Sequence, residues 1–418
     1  MDPASTNRKL KAILINIDGL QASATGLFGA SWIPTHSLNI LAARGMVFDR
    51  HFAVLPDRVH SREVLLSGSH ELLFRPELLG ARENVTGIRE MFRGKGVFCQ
   101  MISSGHVPLP TLFNQGWDHQ MGFASTVKAM EEGKKFIQSD GKAWFLWMDL
   151  GGLLPPWQVP QVHLRRYFSS TLEESDPDSD EKEDLETESG EAELEPHEPL
   201  KQPRLGKIDP MDDELYLRIK ETYAAAISHL DSELAKFLDE LDDDVFVIVT
   251  ADSGQSLGEH GLVGDEQPSV HVERVHVPLI LYGPGVPPGL RVGELTSSID
   301  IAPTLAGLVG QNLSHSQGRD LLHTPIQSLK EKHELLLCSR VGQHAVWGLR
   351  NQDWSFIRDG LIDSSGSTLT GRLFAQPEDY WEINDLARNH PGEVETFAIL
   401  MDNLIRDQGK TVSFTPSI

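Results

Sequence analysis

Short apolar runs alternate with helical repeats along most of this chain. Residues 10–18 (LKAILINID) are apolar and end in a carboxylate, the pattern of a strand buried on both faces whose C-terminal end opens onto a site. Residues 244–252 (DVFVIVTAD) repeat that pattern. Further buried strands are expected at 46–48, 96–103, 143–149 (AWFLWMD) and 277–282 (VPLILY), the last closed by Gly283-Pro284-Gly285. Helical spacing predicts helices at 37–45, closed by Gly45, and near 84–94 and 125–138. A long helix is expected over 212–241, where Leu215, Ile219, Tyr223, Ala226, Leu230, Leu234 and Phe237 share one face. Such alternation predicts an α/β domain with helices on both faces of a mostly parallel sheet.

After about residue 330 the pattern changes to short strands (HELLLCSR, HAVWGLR, WSFIRDG, GRLFAQ) and one terminal helix at about 391–407. We therefore expect a large α/β domain over 1–330 and a small antiparallel sheet with a packed helix over 331–418.

Composition narrows the function classes. The chain of 418 residues is 39 % hydrophobic and has no long apolar run, as in soluble globular proteins. The polar stretch before the first strand lacks an apolar signal core, so a cytoplasmic protein is expected. A net charge of −24 argues against nucleic acid or an anionic membrane as partner. Between Glu173 and Glu198 fourteen acidic residues face a single Lys. Residues 172–200 bury too little apolar surface to offset their ordering entropy, and are expected to form a disordered acidic insert. A protein partner docking on that insert is the functional role such a segment would have. Cys99 and Cys338, the two cysteines, make neither a disulfide framework nor a zinc site, and both read as inert strand residues.

Five segments resemble, in order, the sulfatase branch of the alkaline phosphatase superfamily. Residues 35–45 (THSLNILAARG) stand where that family has T-P-N-L-D-R-L-A-A-x-G. Residues 250–261 (TADSGQSLGEHG) resemble T-S-D-H/N-G-x-x-L-G-E-H-G, and 275–280 (VHVPLI) resemble x-R-V-P-L-I. Residues 298–305 (SIDIAPTL) and 381–387 (WEINDLA) follow two late signatures. The resemblance implies an alkaline-phosphatase-like fold and sulfuric ester hydrolase ancestry.

It also exposes departures. Laying Ser61-Arg62 and Leu65-Leu66-Ser67-Gly68 on C-x-P-S-R-x-x-L-L-T-G places Arg58 where the formylglycine precursor would stand. A guanidinium cannot become an aldehyde hydrate, nor act as an oxygen nucleophile. Sulfate-ester cleavage also uses a divalent cation, commonly calcium, held by hard oxygen ligands. The resemblance retains Asp18 and Asp252 as metal ligands but replaces the adjacent ones by Gly19 and Ser253, leaving an incomplete site. Leu154 stands at the catalytic His, and residues 264–269 hold no candidate for the catalytic Lys. Arg62 matches the motif arginine that holds the active-site loop, while Ser61 and His260 are vestiges of the catalytic set. His60, His271 and His276 read as structural.

The expectation is a degenerate sulfatase-fold protein acting in binding or regulation, with no cofactor. Arg58 would take the cation's place between Asp18 and Asp252, and its pocket would hold a small anion. The alternative is an active sulfate or phosphate ester hydrolase with a rebuilt site using Ser61, His60 or water, in which calcium or another divalent cation would be functional.

Overall fold

In the first strand, β1 (Lys11–Ile17), Ile13, Ile15 and Ile17 enter one core while Ala12 and Leu14 enter another. A strand whose alternate faces are both apolar belongs in the middle of a sheet covered on both sides. The structure, a computed structural model, describes residues 9–57, 60–69, 87–105, 116–139, 142–168, 198–209, 211–313, 316–329, 334–342, 344–361 and 370–406.

The sheet has eight strands in the order β11-β2-β10-β7-β1-β5-β3-β4. Besides β1 these are β2 (Met46–Phe52), β3 (Phe98–Ser104), β4 (His119–Phe123), β5 (Trp144–Leu150), β7 (Phe246–Thr250), β10 (Leu279–Tyr282) and β11 (Leu290–Ser297). All neighbouring pairs are parallel except those made by β10, which runs antiparallel to β2 and β7. Short strands β6 (Gly206–Lys207), β8 (Ser256–Leu257) and β9 (Leu262–Gly264) form a separate three-stranded sheet.

Helices α1 (His36–Arg44), α4 (Thr126–Ile137) and α6 (Asp213–Leu238) cover one face. Helices α2 (Ser61–Ser67), α3 (Ile88–Gly94) and α8 (Ile301–Gly307) cover the other. Short helices α5 (Gln161–Leu164) and α7 (Val272–Val275) lie outside these layers. Asp212 caps α6 through Leu215 N at 2.9 Å, and Asp231 midway along α6 accepts Ser37 N at 3.0 Å, pinning the start of α1. Gly45 closes α1 as expected, with extended backbone (φ −126°). A Cβ there would lie 2.2 Å from Leu281 O, so close approach to β10 is what demands glycine.

The C-terminal sheet runs β12-β13-β14-β15, fully antiparallel: β12 (Leu335–Val341), β13 (His344–Arg350), β14 (Trp354–Leu361) and β15 (Arg372–Ala375). Helix α9 (Pro391–Arg406) packs Val394, Phe397, Ala398 and Met401 onto it. The same apolar cluster takes in Phe52, Val54, Val64, Val270 and Val275 from the large sheet's side, so the two sheets share a core. Residues 172–197 of the acidic insert lie outside the described residues. Leu200 N at its end donates to Thr222 Oγ1 on α6 at 2.9 Å.

Candidate functional site

Three neighbouring strands deliver three carboxylates to one end of the large sheet. Asp18 follows β1, Asp149 lies in β5 opposite Asn16, and Asp252 follows β7. All three are at most 3 % exposed. Against them the first turn of α2 sets Arg62, itself 2 % exposed. Its Nη2 lies 3.2 Å from Asp18 Oδ2, its Nε 2.8 Å from Asp149 Oδ2 and its Nη1 2.8 Å from Asp252 Oδ2. Each donor edge of the planar guanidinium therefore meets a different carboxylate, a geometry that lysine cannot make. Burial works against the charge on Arg62, but the three aspartates outweigh it and hold the group well above its ordinary proton affinity.

Smaller donors complete the cluster. Asn16 Nδ2 donates to Asp149 Oδ1 at 2.7 Å, Ser61 Oγ to Asp252 Oδ2 at 3.1 Å, and Ser253 N to Asp252 Oδ1 at 2.9 Å. The three carboxylates lie side by side away from water. Accordingly Asp252 is shifted upward, by burial first and by the Asp18 charge next, with Arg62 opposing.

Gly19 (φ +85°) follows Asp18. A Cβ on it would sit 2.9 Å from Leu154 Cδ2 and 3.3 Å from Gln255 Oε1. Tyr223 locks this turn, its hydroxyl donating to Gly19 O at 2.6 Å and accepting from Gln21 N at 3.1 Å. Sequence reasoning had placed Tyr223 only on the buried face of the long helix. Asp149 was also missed as a site residue, although its strand ends in a carboxylate just as those of Asp18 and Asp252 do.

The family model for sulfatases matches residues 11–311. The chain belongs to the sulfatase family. Choline-sulfatase of Rhizobium meliloti is 29 % identical over 190 residues, which take in 43 % of this chain and 35 % of that protein. Arylsulfatase K of Homo sapiens is 28 % identical over 192 residues, 41 % of this chain and 34 % of that protein. These matches span about a third of the length of either relative. The solved phosphonate monoester hydrolase of Agrobacterium radiobacter superposes with a TM-score of 0.73 at 16 % identity, covering 96 % of both chains, which establishes a shared fold.

Sulfatases normally use a divalent metal, and the donor set here does not fit one. One oxygen each of Asp18 and Asp252 faces a nitrogen of Arg62, Gly19 and Ser253 add no carboxylate, and Leu154 fills the space beside Gly19. Among the described residues no three His, Cys, Asp or Glu side chains are arranged to hold a metal ion. Helix α2 begins at Ser61 and turns Arg62 inward onto Asp18 and Asp252, whereas Arg58, for which a pairing with these aspartates was expected, lies outside the described residues.

A cleft of about 550 Å³ opens over this sulfatase-family site. Its walls include Pro56, Asp57, Gly151, Leu154, Arg274 and Arg340, and His229 and Glu233 of α6 also face it. Asp18, Ser61, Arg62 and Asp252 are not among the residues that line it. His60 Nδ1 lies 3.0 Å from Asp57 Oδ1, at the entry to α2. His260 lies away from the Arg62 cluster: its Nδ1 meets Glu273 Oε1 at 3.0 Å and its ring stacks on His271 at 3.7 Å between centroids. His276 is held between Tyr380 Oη at 2.8 Å and Asp49 O at 2.9 Å, and burial lowers its proton affinity to about 3. Burial pushes both thiols, Cys99 and Cys338, up to about 12, which leaves them protonated and unreactive. Among the described residues no helix is long and apolar enough to cross a membrane.

Proposed function

We propose that this chain is a sulfatase-family protein that does not hydrolyse sulfate esters and uses the family's cleft to bind a ligand. The observation that carries this reading is Arg62 seated among Asp18, Asp149 and Asp252 behind Leu154. Hydrolysis would need a nucleophile, a cation to stabilise developing charge, and a group to protonate the leaving oxygen. The motif places Arg58 at the nucleophile, the cation's oxygens are bound by a guanidinium, and Leu154 stands where the imidazole would be. What persists is a cleft whose walls carry the positive charges of Arg274 and Arg340, which suit a small anionic group.

Hydrolysis of an aryl sulfate and an aryl phosphate, with calcium, magnesium or manganese added, tests the reading. No turnover above an Asp252→Ala control is expected. Turnover that Asp252→Ala abolishes would overturn it.

One contact favours the second reading, an ester hydrolase with a rebuilt site. Ser61 Oγ lies 3.1 Å from Asp252 Oδ2, a hydroxyl beside a carboxylate of raised proton affinity. Ser61 is only 3 % exposed and does not line the cleft, so substrate would reach it only after the surrounding chain moved. Loss of turnover in Ser61→Ala would support this second reading.

A further inference from the structure

Helix α6 carries a cavity on each of two faces. Ala226, His229 and Glu233 face the sulfatase-family cleft, whereas Ser228, Ala235 and Asp239 line a second cavity of about 570 Å³. At 3.6 residues per turn the two sets fall on opposite sides of the helix, so the second cavity is separate from the first. Its other walls are α1, which contributes Ile40 and Leu41, and α5, which contributes Val162.

Contacts to the rest of the fold hold these walls in place. Asp231 accepts Ser37 N at 3.0 Å and Leu38 N at 3.1 Å, which commits its carboxylate to the start of α1. At the other end of α1, Arg44 Nη2 donates to Tyr282 Oη on β10 at 2.6 Å. On the α5 side Leu164 and Phe168 pack on Ala225 of α6, and Tyr167 Oη lies 3.1 Å from Ser228 Oγ. The space between α1 and α5 is therefore preformed, as sites for small molecules mostly are, and its volume lies within their usual range.

The lining is mainly apolar. Leu41, Ala235, Leu238 and Leu241 contribute to it, and so do Ile40 and Val162, which are 60 % and 73 % exposed. Large apolar side chains left singly in water are ordinary. Ile40 and Val162 instead stand on two walls of one cavity, and an apolar body entering it would cover both at once.

Charge is distributed along the cavity. Arg166 follows Tyr167's partner helix α5 and so lies at the Ser228 end, and among the described residues it makes no hydrogen bond or ion pair. Asp239 lies eleven residues beyond Ser228 on α6, roughly 16 Å further along the axis. Arg44 belongs to that far end, where it is engaged by Tyr282 and by Asp243 at 3.6 Å. Burial lowers the proton affinity of His163, which also lines the cavity, so this imidazole adds no charge at neutral pH. An anion is thus favoured beside Arg166 and disfavoured beside Asp239, which suits a molecule with one anionic head and an uncharged tail.

We propose that this second cavity binds a small anionic amphiphile, with its anionic group on Arg166 and its apolar body between Ile40 and Val162. A guanidinium takes carboxylate, sulfate and phosphate heads alike. The apolar body lies along Leu41, Ala235 and Leu238. The site does not depend on the reading given for the sulfatase-family cleft, and turnover in the hydrolysis assay would leave it standing.

Titration calorimetry of the whole protein with decanoate, below its micelle concentration, tests the proposal. One saturable site is expected, with a dissociation constant on the order of 0.1 mM. Decylamine, which has the same tail and the opposite charge, should bind about tenfold more weakly or worse. Arg166→Glu should weaken decanoate about tenfold without weakening decylamine. Ala235→Trp should abolish binding of both by filling the cavity. If Ala235→Trp does not fold, Val162→Glu at its exposed position should weaken decanoate about tenfold. No saturable binding, equal affinity for the two amphiphiles, or affinity unchanged in Arg166→Glu and Val162→Glu would overturn the proposal. Loss of decanoate binding in Arg274→Ala, with these variants unaffected, would move the ligand to the sulfatase-family cleft and overturn it too. A dimer in sedimentation that Val162→Glu disperses would assign the cavity to a second copy of the chain instead.

Discussion

Leu154 Cδ2 lies 2.9 Å from the point where a Cβ on Gly19 would sit. The resemblance puts Leu154 at the family's histidine and Gly19 at an aspartate, and the two positions meet in space here. Gly19→Asp should cost about 3 kcal/mol, from overpacking and positive φ together. Leu154→Ala should cost about 2 to 5 kcal/mol through the cavity it leaves. Because the side chains compete for the same space, urea denaturation of the double variant should show a coupling of about 1 kcal/mol or more in its favour. Additive costs would separate the two substitutions.

Removing Arg62 takes an ion-pair partner from each of three buried carboxylates. Arg62→Ala is expected to destabilise the protein by about 3 to 5 kcal/mol at neutral pH. The sign of its pH dependence follows from Asp252, whose proton affinity is already raised by burial and Asp18 and rises further without the guanidinium. A carboxylate with a raised folded value binds protons more tightly when folded, so stability is gained as pH falls. The deficit of Arg62→Ala relative to wild type should therefore shrink in acid, as thermal melts across pH would record. A deficit that widened in acid would contradict this account.

Glu382 gives the opposite sign. Burial alone would raise this carboxyl, but Arg350 together with His271 and Ser355 holds it down to about 2 from an ordinary 4.5. Its contribution is therefore fully present above 4.5 and lost as pH falls through 2. Glu382→Gln should lose about 3 kcal/mol at neutral pH. It should also flatten the acid limb of the stability curve between those two values. A limb as steep as wild type would assign acid sensitivity to other groups.

Much of this was legible from the chain. The strand-then-carboxylate pattern located Asp18 and Asp252, and the period-two and helical repeats located the large sheet, its helices and the C-terminal sheet. The pairing expected of Arg58 falls outside the described residues, and the inward turn of Arg62 was not among the expectations, because helical phase rather than motif alignment sets it. Arg62 shares its buried face with Leu65 and Leu66 at i+3 and i+4, and that spacing was the available signal. Asp149 could have been found from the end of its own strand. Glu382 could not, because its partner His271 is 111 residues away in sequence and the bond depends on how the second sheet docks.

The central proposal is that Asp18, Asp149 and Asp252, with Arg62 among them, do not hold the family's cation. Titration of the purified protein with calcium, followed by calorimetry and by melting temperature, tests it most directly. The account predicts no stoichiometric heat and no shift in melting temperature for the wild type, with partial stabilisation by calcium appearing only in Arg62→Ala. Stoichiometric calcium binding by the wild type that Asp18→Ala or Asp252→Ala abolishes would contradict it.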